Sequence, residues 1–275
     1  MTSVDTAAGQ KAKSPAKKKA EGKLWFWPAF PKLMLGAAAI FTLAMVWRWY
    51  QGWAAWEHGL DASSVEFQTY WINLLYLNIG GVALIAVVLW SWIWITRDRH
   101  LSELSPREEL RRTFTFASFL CLYVFAVYWA GSFFAEQDAS WHQVAIRDTA
   151  FTPSHIVLFY GAFPLYITIG VASFLYAITR LPYYCERMSV PLILAVVGPF
   201  LLLPNVGFNE WGHAFWLFEE VFTAPLHWGF VVFGWSALAL GGVLTEVMVR
   251  LTSVVFPQLY GKDYGSRLLA SLRGG

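Results

Sequence analysis

The chain has 275 residues, 57% of them hydrophobic, 18% aromatic and only 14% charged, with a formal net charge of +2. A soluble domain carries about a quarter charged residues, so this composition excludes an ordinary water-soluble globule and points to a membrane protein. The two cysteines, Cys121 and Cys185, fit neither a disulfide framework nor a thiolate metal site, and both read as packing residues.

Residues 1–23 are rich in Ala, Lys, Ser and Gly and are expected to form a disordered tail. No apolar segment with a small-residue cleavage site follows, so a cleaved signal peptide is not expected. The tail lysines suit a cytoplasmic position near anionic lipid, and the next stretch, LWFWPAF, suits an interfacial segment. Apolar runs long enough to span about 30 Å of hydrocarbon occur near residues 33–53, 71–95, 113–134, 155–178, 190–207 and 224–249. The fifth is short and broken by Gly198, Pro199 and Pro204. The expected fold is all-α and polytopic: six spans within residues 24–250, followed by a cytoplasmic C-terminal tail at 251–275.

Orientation follows from lysine and arginine. With the N-terminus inside, 18 of the 20 basic residues lie in inner segments, leaving only Arg48 and Arg147 outside. Both termini are therefore expected in the cytoplasm. Segments 54–70, 135–154 and 208–223 then face the outer, periplasmic side of an inner or intracytoplasmic membrane. In the inner loop RDRHLSELSPREELRR, Ser105 is placed to cap a helix, with Pro106 at its first position and Glu108 and Glu109 in its first turn. That loop reads as a charged start to the third span rather than a binding site. No nucleotide motif or Gly-rich phosphate loop occurs, and no nucleic-acid partner is expected.

Two stretches on the outer side, at helix ends or just inside the membrane, repeat one pattern, and they hold four of the six histidines. Within EQDASWHQVAIRDTAFTPSH stand Asp138, His142 and His155; within NEWGHAFWLFEEVFTAPLH stand Asn209, His213 and His227. A separation of four puts two side chains on one helical face, roughly 5–6 Å apart at Cβ, as two ligands of one ion require. Thr152 and Pro153 mark a turn able to bring His155 back to Asp138 and His142. One carboxylate with two imidazoles suits copper, zinc or iron. An interfacial polar network, with Asp138 capping a helix, accounts for the spacing equally well.

In the second set, His213 and His227 lie roughly 20 Å apart along a straight helix. They share an ion only if the chain reverses, near Pro225. Asn209 is a weaker donor than a carboxylate, and mutual hydrogen bonding at a helix junction is the plain alternative. Intramembrane polar residues are costly and commonly functional, which favours a site. Glu219 and Glu220 are candidates to hold an imidazole tautomer or carry protons, or are solvated carboxylates. Arg147 and Asp148 form a candidate salt bridge fixing the first loop.

EQDASWHQVAIRDTAFTPSH and LPNVGFNEWGHAFWLFEEVFTAPLHWGFVVFGW resemble the C subunit of the copper membrane monooxygenases, the family of particulate methane monooxygenase and ammonia monooxygenase. The likeness runs over about residues 47–249 and includes GLDASSVEFQTYW, the TRDR…PREELRR loop and TRLPYY. The resemblance implies that Asp138, His142 and His155 bind one copper and that Asn209, His213 and His227 form a neighbouring site, the candidate for oxygen activation. It also implies the A and B subunits as partners in a trimer of heterotrimers, O2 and a small apolar substrate, and a quinol reductant. Methane and ammonia are the expected substrates, with short alkanes behind them. EQDASWHQ and NEWGHAFW look closer to the ammonia enzyme, and PREELRR closer to the methane enzyme.

The expected function is thus the copper-binding membrane subunit of a monooxygenase. The competing class is a haem-bearing or proton-carrying membrane subunit of an electron-transfer or transport complex. Haem, however, favours histidines on facing helices without adjoining Asp and Asn oxygens, and a transporter favours broken helices in corresponding halves. A purely structural subunit leaves both metal patterns unexplained.

Overall fold

The computed structural model describes residues 29–101, 104–135, 137–138, 151–187, 189–201, 245–261 and 263–273. Among them every regular element is helical and no strand occurs. The expected tail at 1–23 and the sixth span up to residue 244 lie outside the described residues.

Four helices are long and apolar enough to cross a membrane: α1 (Phe30–Glu57), α2 (Val65–Ile95), α3 (Pro106–Phe134) and α4 (Pro153–Arg180). At 28–31 residues each exceeds about 40 Å, so its ends project beyond about 30 Å of hydrocarbon. Consecutive in the chain, they run alternately up and down. The apolar stretch of α4 is 72% buried and that of α1 only 17%. α4 is therefore the central post, and α1 and α2 turn broad apolar faces outward.

Local chemistry sets the helix ends. α1 stops at His58 because Gly59 takes a positive φ of 72°, a left-handed position favouring glycine. Ser64 caps α2 by accepting from the Phe67 N–H at 3.1 Å, and Ser105 caps α3 by accepting from Glu108 N–H at 3.3 Å, with Pro106 first in the helix.

Beyond α4 come α5 (Pro182–Glu186) and α6 (Val190–Phe200), the latter a shorter apolar helix. The break expected in the fifth span is present. The α-helix ends at Val197 and tightens to a 3-10 turn over Gly198–Leu201, where Pro199 lacks an N–H. The Tyr123 hydroxyl donates to Val196 O at 2.6 Å and that of Tyr166 to Pro199 O at 3.0 Å, so core tyrosines satisfy carbonyls there. The segment expected as a tail from 251 contains α7 (Val249–Tyr260) and α8 (Tyr264–Arg273). Glu246, in the expected sixth span, is buried and accepts from the hydroxyls of Tyr184, at 2.9 Å, and Ser189.

An ion network ties α2, α3 and α4 together at their basic end. Arg112 reaches Asp98 at 2.8 Å, Glu108 at 3.0 Å and the Arg180 carbonyl at 3.2 Å. Arg180 donates in turn to Ile93 O and Thr96 O. From α7, Arg250 lies 3.3 Å from Glu109 and 4.3 Å from the centre of the Tyr183 ring. The packing role expected for the cysteines does not hold within this chain. Cys121 and Cys185 are exposed free thiols; Cys121 stands off the stripe of Phe116, Leu120, Tyr123 and Val127 that α3 buries.

The opposite end is built differently. There α2, α3 and α4 each contain a π-helical segment, at Gln68–Ile72, Trp129–Phe134 and Leu158–Ala162. Such wide turns are rare and collect at functional sites.

Candidate metal centre

Asp138 follows the π-helical end of α3, and His155 sits in the first turn of α4. Thr152 is extended, Pro153 opens the helix, and the Ile156 N–H bonds to Thr152 O at 2.9 Å. Pro153 needs no hydrogen-bond partner at that position, and the turn carries the His155 ring inward.

The two side chains meet. His155 Nε2 lies 3.3 Å from Asp138 Oδ1, and the side chains are only 1% and 2% exposed. The Phe159 ring packs against the imidazole at 4.5 Å between centres. A carboxylate this deep in apolar surroundings is costly unless a cation or strong donors meet it.

The spacing of this one contact is compatible with a cation shared by the two side chains. Charge-assisted N–H···O⁻ bonds run about 2.7–2.9 Å, shorter than the contact here. Two ligands held about 2.0–2.2 Å from one tetrahedral ion stand roughly 3.3–3.6 Å apart. The chemistry of the pair, one oxygen and one imidazole nitrogen converging in a dry pocket, therefore fits a shared first-row metal ion.

Support for the site comes from α1 and α2. Asn78 accepts from the Trp47 indole N–H at 3.0 Å and donates to Ile156 O at 3.0 Å. This buried relay fixes the turn that carries His155. Gly161 leaves room for it, since a Cβ there would stand 2.9 Å from Trp47 Cζ2 and 3.2 Å from Asn78 Nδ2. Sequence reasoning passed over Asn78 and Trp47. The available signal was a lone amide inside the apolar run LLYLNIGGVALIAVVLW.

Of the residues singled out in the sequence, Asp138 and His155 are brought together. His142, Arg147, Asn209, His213, Glu219, Glu220 and His227 lie outside the described residues. Among the described residues no three His, Cys, Asp or Glu side chains gather into one group. The remaining histidines are placed elsewhere: His58 stacks on Tyr70 at 3.6 Å, and His100 is exposed in the α2–α3 turn.

No curated protein matches the sequence significantly. The family model for the C subunit of ammonia monooxygenase/methane monooxygenase matches residues 10–257. Coverage of nearly the whole chain agrees with a membrane-spanning helical architecture and with a carboxylate–imidazole pair buried at one end of it. The chain belongs to the C-subunit family of the ammonia and methane monooxygenases.

Proposed function

We propose that this chain is the copper-carrying membrane subunit of a monooxygenase that inserts one atom of O2 into methane or ammonia, with short alkanes as further substrates. The observation that carries the reading is the convergence of Asp138 Oδ1 and His155 Nε2. His142, four residues after Asp138, would complete a three-ligand set. Asn209, His213 and His227 would hold a second ion nearby, with Glu219, Glu220 and Arg147 supporting the ligands.

When bound, copper in such a nitrogen–oxygen site cycles between oxidation states and binds O2. The chain's residues do the rest. Asp138 supplies the negative charge that offsets a cation in a dry pocket, and His155 supplies a neutral donor aimed by Pro153 and by the Asn78 bond to Ile156 O. Phe159 packs on the imidazole, and Phe134 and Phe163 belong to the same apolar core, a surround that would keep water from reactive intermediates. A quinol is the expected source of the two electrons.

The site end would face the periplasmic side and the basic end the cytoplasm, consistent with the positive-inside distribution. The outward apolar faces of α1 and α2 suit lipid and the partner A and B subunits, in a trimer of heterotrimers. Metal analysis and an absorption spectrum of the purified complex, wild type against His155→Ala, test the reading. Copper that falls in the variant supports it. A haem spectrum, or copper unchanged by His155→Ala, overturns it. Thiol labelling of a cysteine placed in the 97–112 loop, reached from the periplasm of intact cells, would reverse the orientation.

A further inference from the structure

At the basic end a pocket of about 370 Å³ opens between the end of α2, the start of α3 and the end of α4. Arg97, Arg111, Arg112 and Arg180 line it together with the carboxylates of Asp98 and Glu108. Four cations against two anions leave two positive charges in excess. These groups are reachable from outside: the side chains of Arg111, Glu108 and Asp98 are 60%, 30% and 23% exposed. Glu108 holds Arg111 in a two-pronged bond at 2.6 and 2.7 Å and shares Arg112 with Asp98. Arg97 and Arg180 have no carboxylate at ion-pair distance among the described residues. They donate to neutral oxygens instead, Arg97 to Trp94 O and Arg180 to Ile93 O, Thr96 O and Thr179 Oγ1. Neutral acceptors fix a guanidinium without cancelling its charge. Each also lies over an indole, Arg97 at 5.0 Å from the centre of Trp94 and Arg180 at 5.8 Å from that of Trp92. Trp92, Trp94 and the adjoining Ile95 are exposed on α2.

We infer that this pocket binds the phosphate of an anionic phospholipid from the leaflet at the basic end. The inference needs only a membrane-spanning chain and is independent of the metal centre. A guanidinium fork matches the oxygens of a phosphate. Basic pockets between spanning helices favour lipid head groups of net negative charge, and the excess here has that sign. Free phosphate would satisfy the arginines equally well. The collar of Trp92, Trp94 and Ile95 assigns the lipid, because indoles at the end of a span sit at headgroup level and offer apolar surface to the glycerol and first acyl carbons beside the charge. Within the pocket the arginines divide their work. Arg112 and Arg180 are tied to backbone carbonyls of neighbouring helices and form its walls. Arg97 and Arg111 retain N–H groups that none of these bonds use, and they take the phosphate.

The test uses the intact membrane complex in lipid nanodiscs. Phenylglyoxal modifies reachable arginines, and peptide mass spectrometry reads each one. Arg107, exposed in the same loop and off the pocket, is the internal reference. Phosphatidylglycerol added to phosphatidylcholine discs should slow modification of Arg97 and Arg111 several-fold relative to Arg107. Inorganic phosphate in the buffer of phosphatidylcholine discs should not. Equal protection by inorganic phosphate makes this a free-anion site and overturns the lipid assignment. Equal rates with and without phosphatidylglycerol also overturn it, slow ones marking an acidic segment of a partner subunit in the pocket and fast ones a pocket that takes no lipid. In native mass spectrometry Arg97→Gln/Arg111→Gln should lose one phosphatidylglycerol for each copy of this chain, whereas Arg97→Lys/Arg111→Lys, which keeps the charge, should retain most of it. A glutamine pair that keeps its full complement of phosphatidylglycerol overturns the inference.

Discussion

The two ends of the bundle carry charge in opposite ways. At the basic end, Arg112 answers to Asp98, Glu108 and the Arg180 carbonyl, and water reaches most of the participants. No single contact is decisive, because losing one leaves others and solvent to take its place. At the site end one carboxylate and one imidazole face each other with almost no exposure. Solvent cannot step in there, so each partner matters far more. Where partners are redundant one loss is absorbed, and where a pair is shut off from solvent it is not.

The largest effects should come from the site end. Asp138→Ala and His155→Ala are each expected to abolish copper at the first site and turnover, and the double variant should be no worse, because losing one ligand already empties the site. Copper per complex and turnover with methane and with ammonia measure this. His213→Ala and His227→Ala should do the same at the second set, with Asn209→Ala milder because an amide oxygen is the poorer donor. Full copper and full turnover in His213→Ala would make that set structural.

An intermediate effect is expected one layer out. Asn78→Leu strands the Trp47 N–H and the Ile156 carbonyl, which should cost about 1–3 kcal/mol in thermal unfolding. It should also lower copper affinity roughly 10–100-fold by loosening His155. Gly161→Ala pushes on the same relay and should destabilise by about 1–3 kcal/mol. Should copper titration of Asn78→Leu match wild type, the relay would be packing alone.

The smallest effects belong to the basic end. Arg112→Gln should cost about 1 kcal/mol or less and leave copper content unchanged. Acidity probes the same network. The His100 N–H, and then Arg112, hold the Asp98 carboxyl below its ordinary 3.8. A depressed carboxyl contributes stability above its ordinary value and loses it as pH falls through the folded one. Unfolding curves should therefore be insensitive to Asp98→Asn at low pH and should separate slightly from wild type above about pH 4. A difference that grew on acidification would contradict the pairing.

Much of this architecture was legible from residues alone. The first four spans follow from apolar runs at 33–53, 71–95, 113–134 and 155–178, and the start of α3 follows from Ser105 and Pro106. Hydropathy reads only the part of a helix that lies in hydrocarbon. It therefore missed that α2 begins at Val65 under the Ser64 cap, and that α7 continues through the expected tail boundary. Asp138 and His155 were readable as candidates from residue type and from the turn at Thr152–Pro153. Their approach to within 3.3 Å was not, because it depends on how α3 and α4 end in space. The Trp47–Asn78–Ile156 relay is tertiary and leaves only one unexplained amide in the sequence. The π-helical segments leave no trace, because one extra residue in a turn does not disturb an apolar run.

That extra residue has a consequence for how the spans tolerate change. A π segment is a helix with one residue let in, so everything beyond it is turned by about 100° relative to the regular shaft. The segment Trp129–Phe134 stands between the shaft of α3 and Asp138, and Leu158–Ala162 stands between His155 and the shaft of α4. Deleting Ala130 would restore an ordinary helix and leave the packing of residues 106–128 intact. It would also swing Asp138 a quarter-turn away from His155, giving a complex that assembles with its carboxylate–imidazole pair parted. The donor geometry at this end is thus a matter of reading frame in three dimensions.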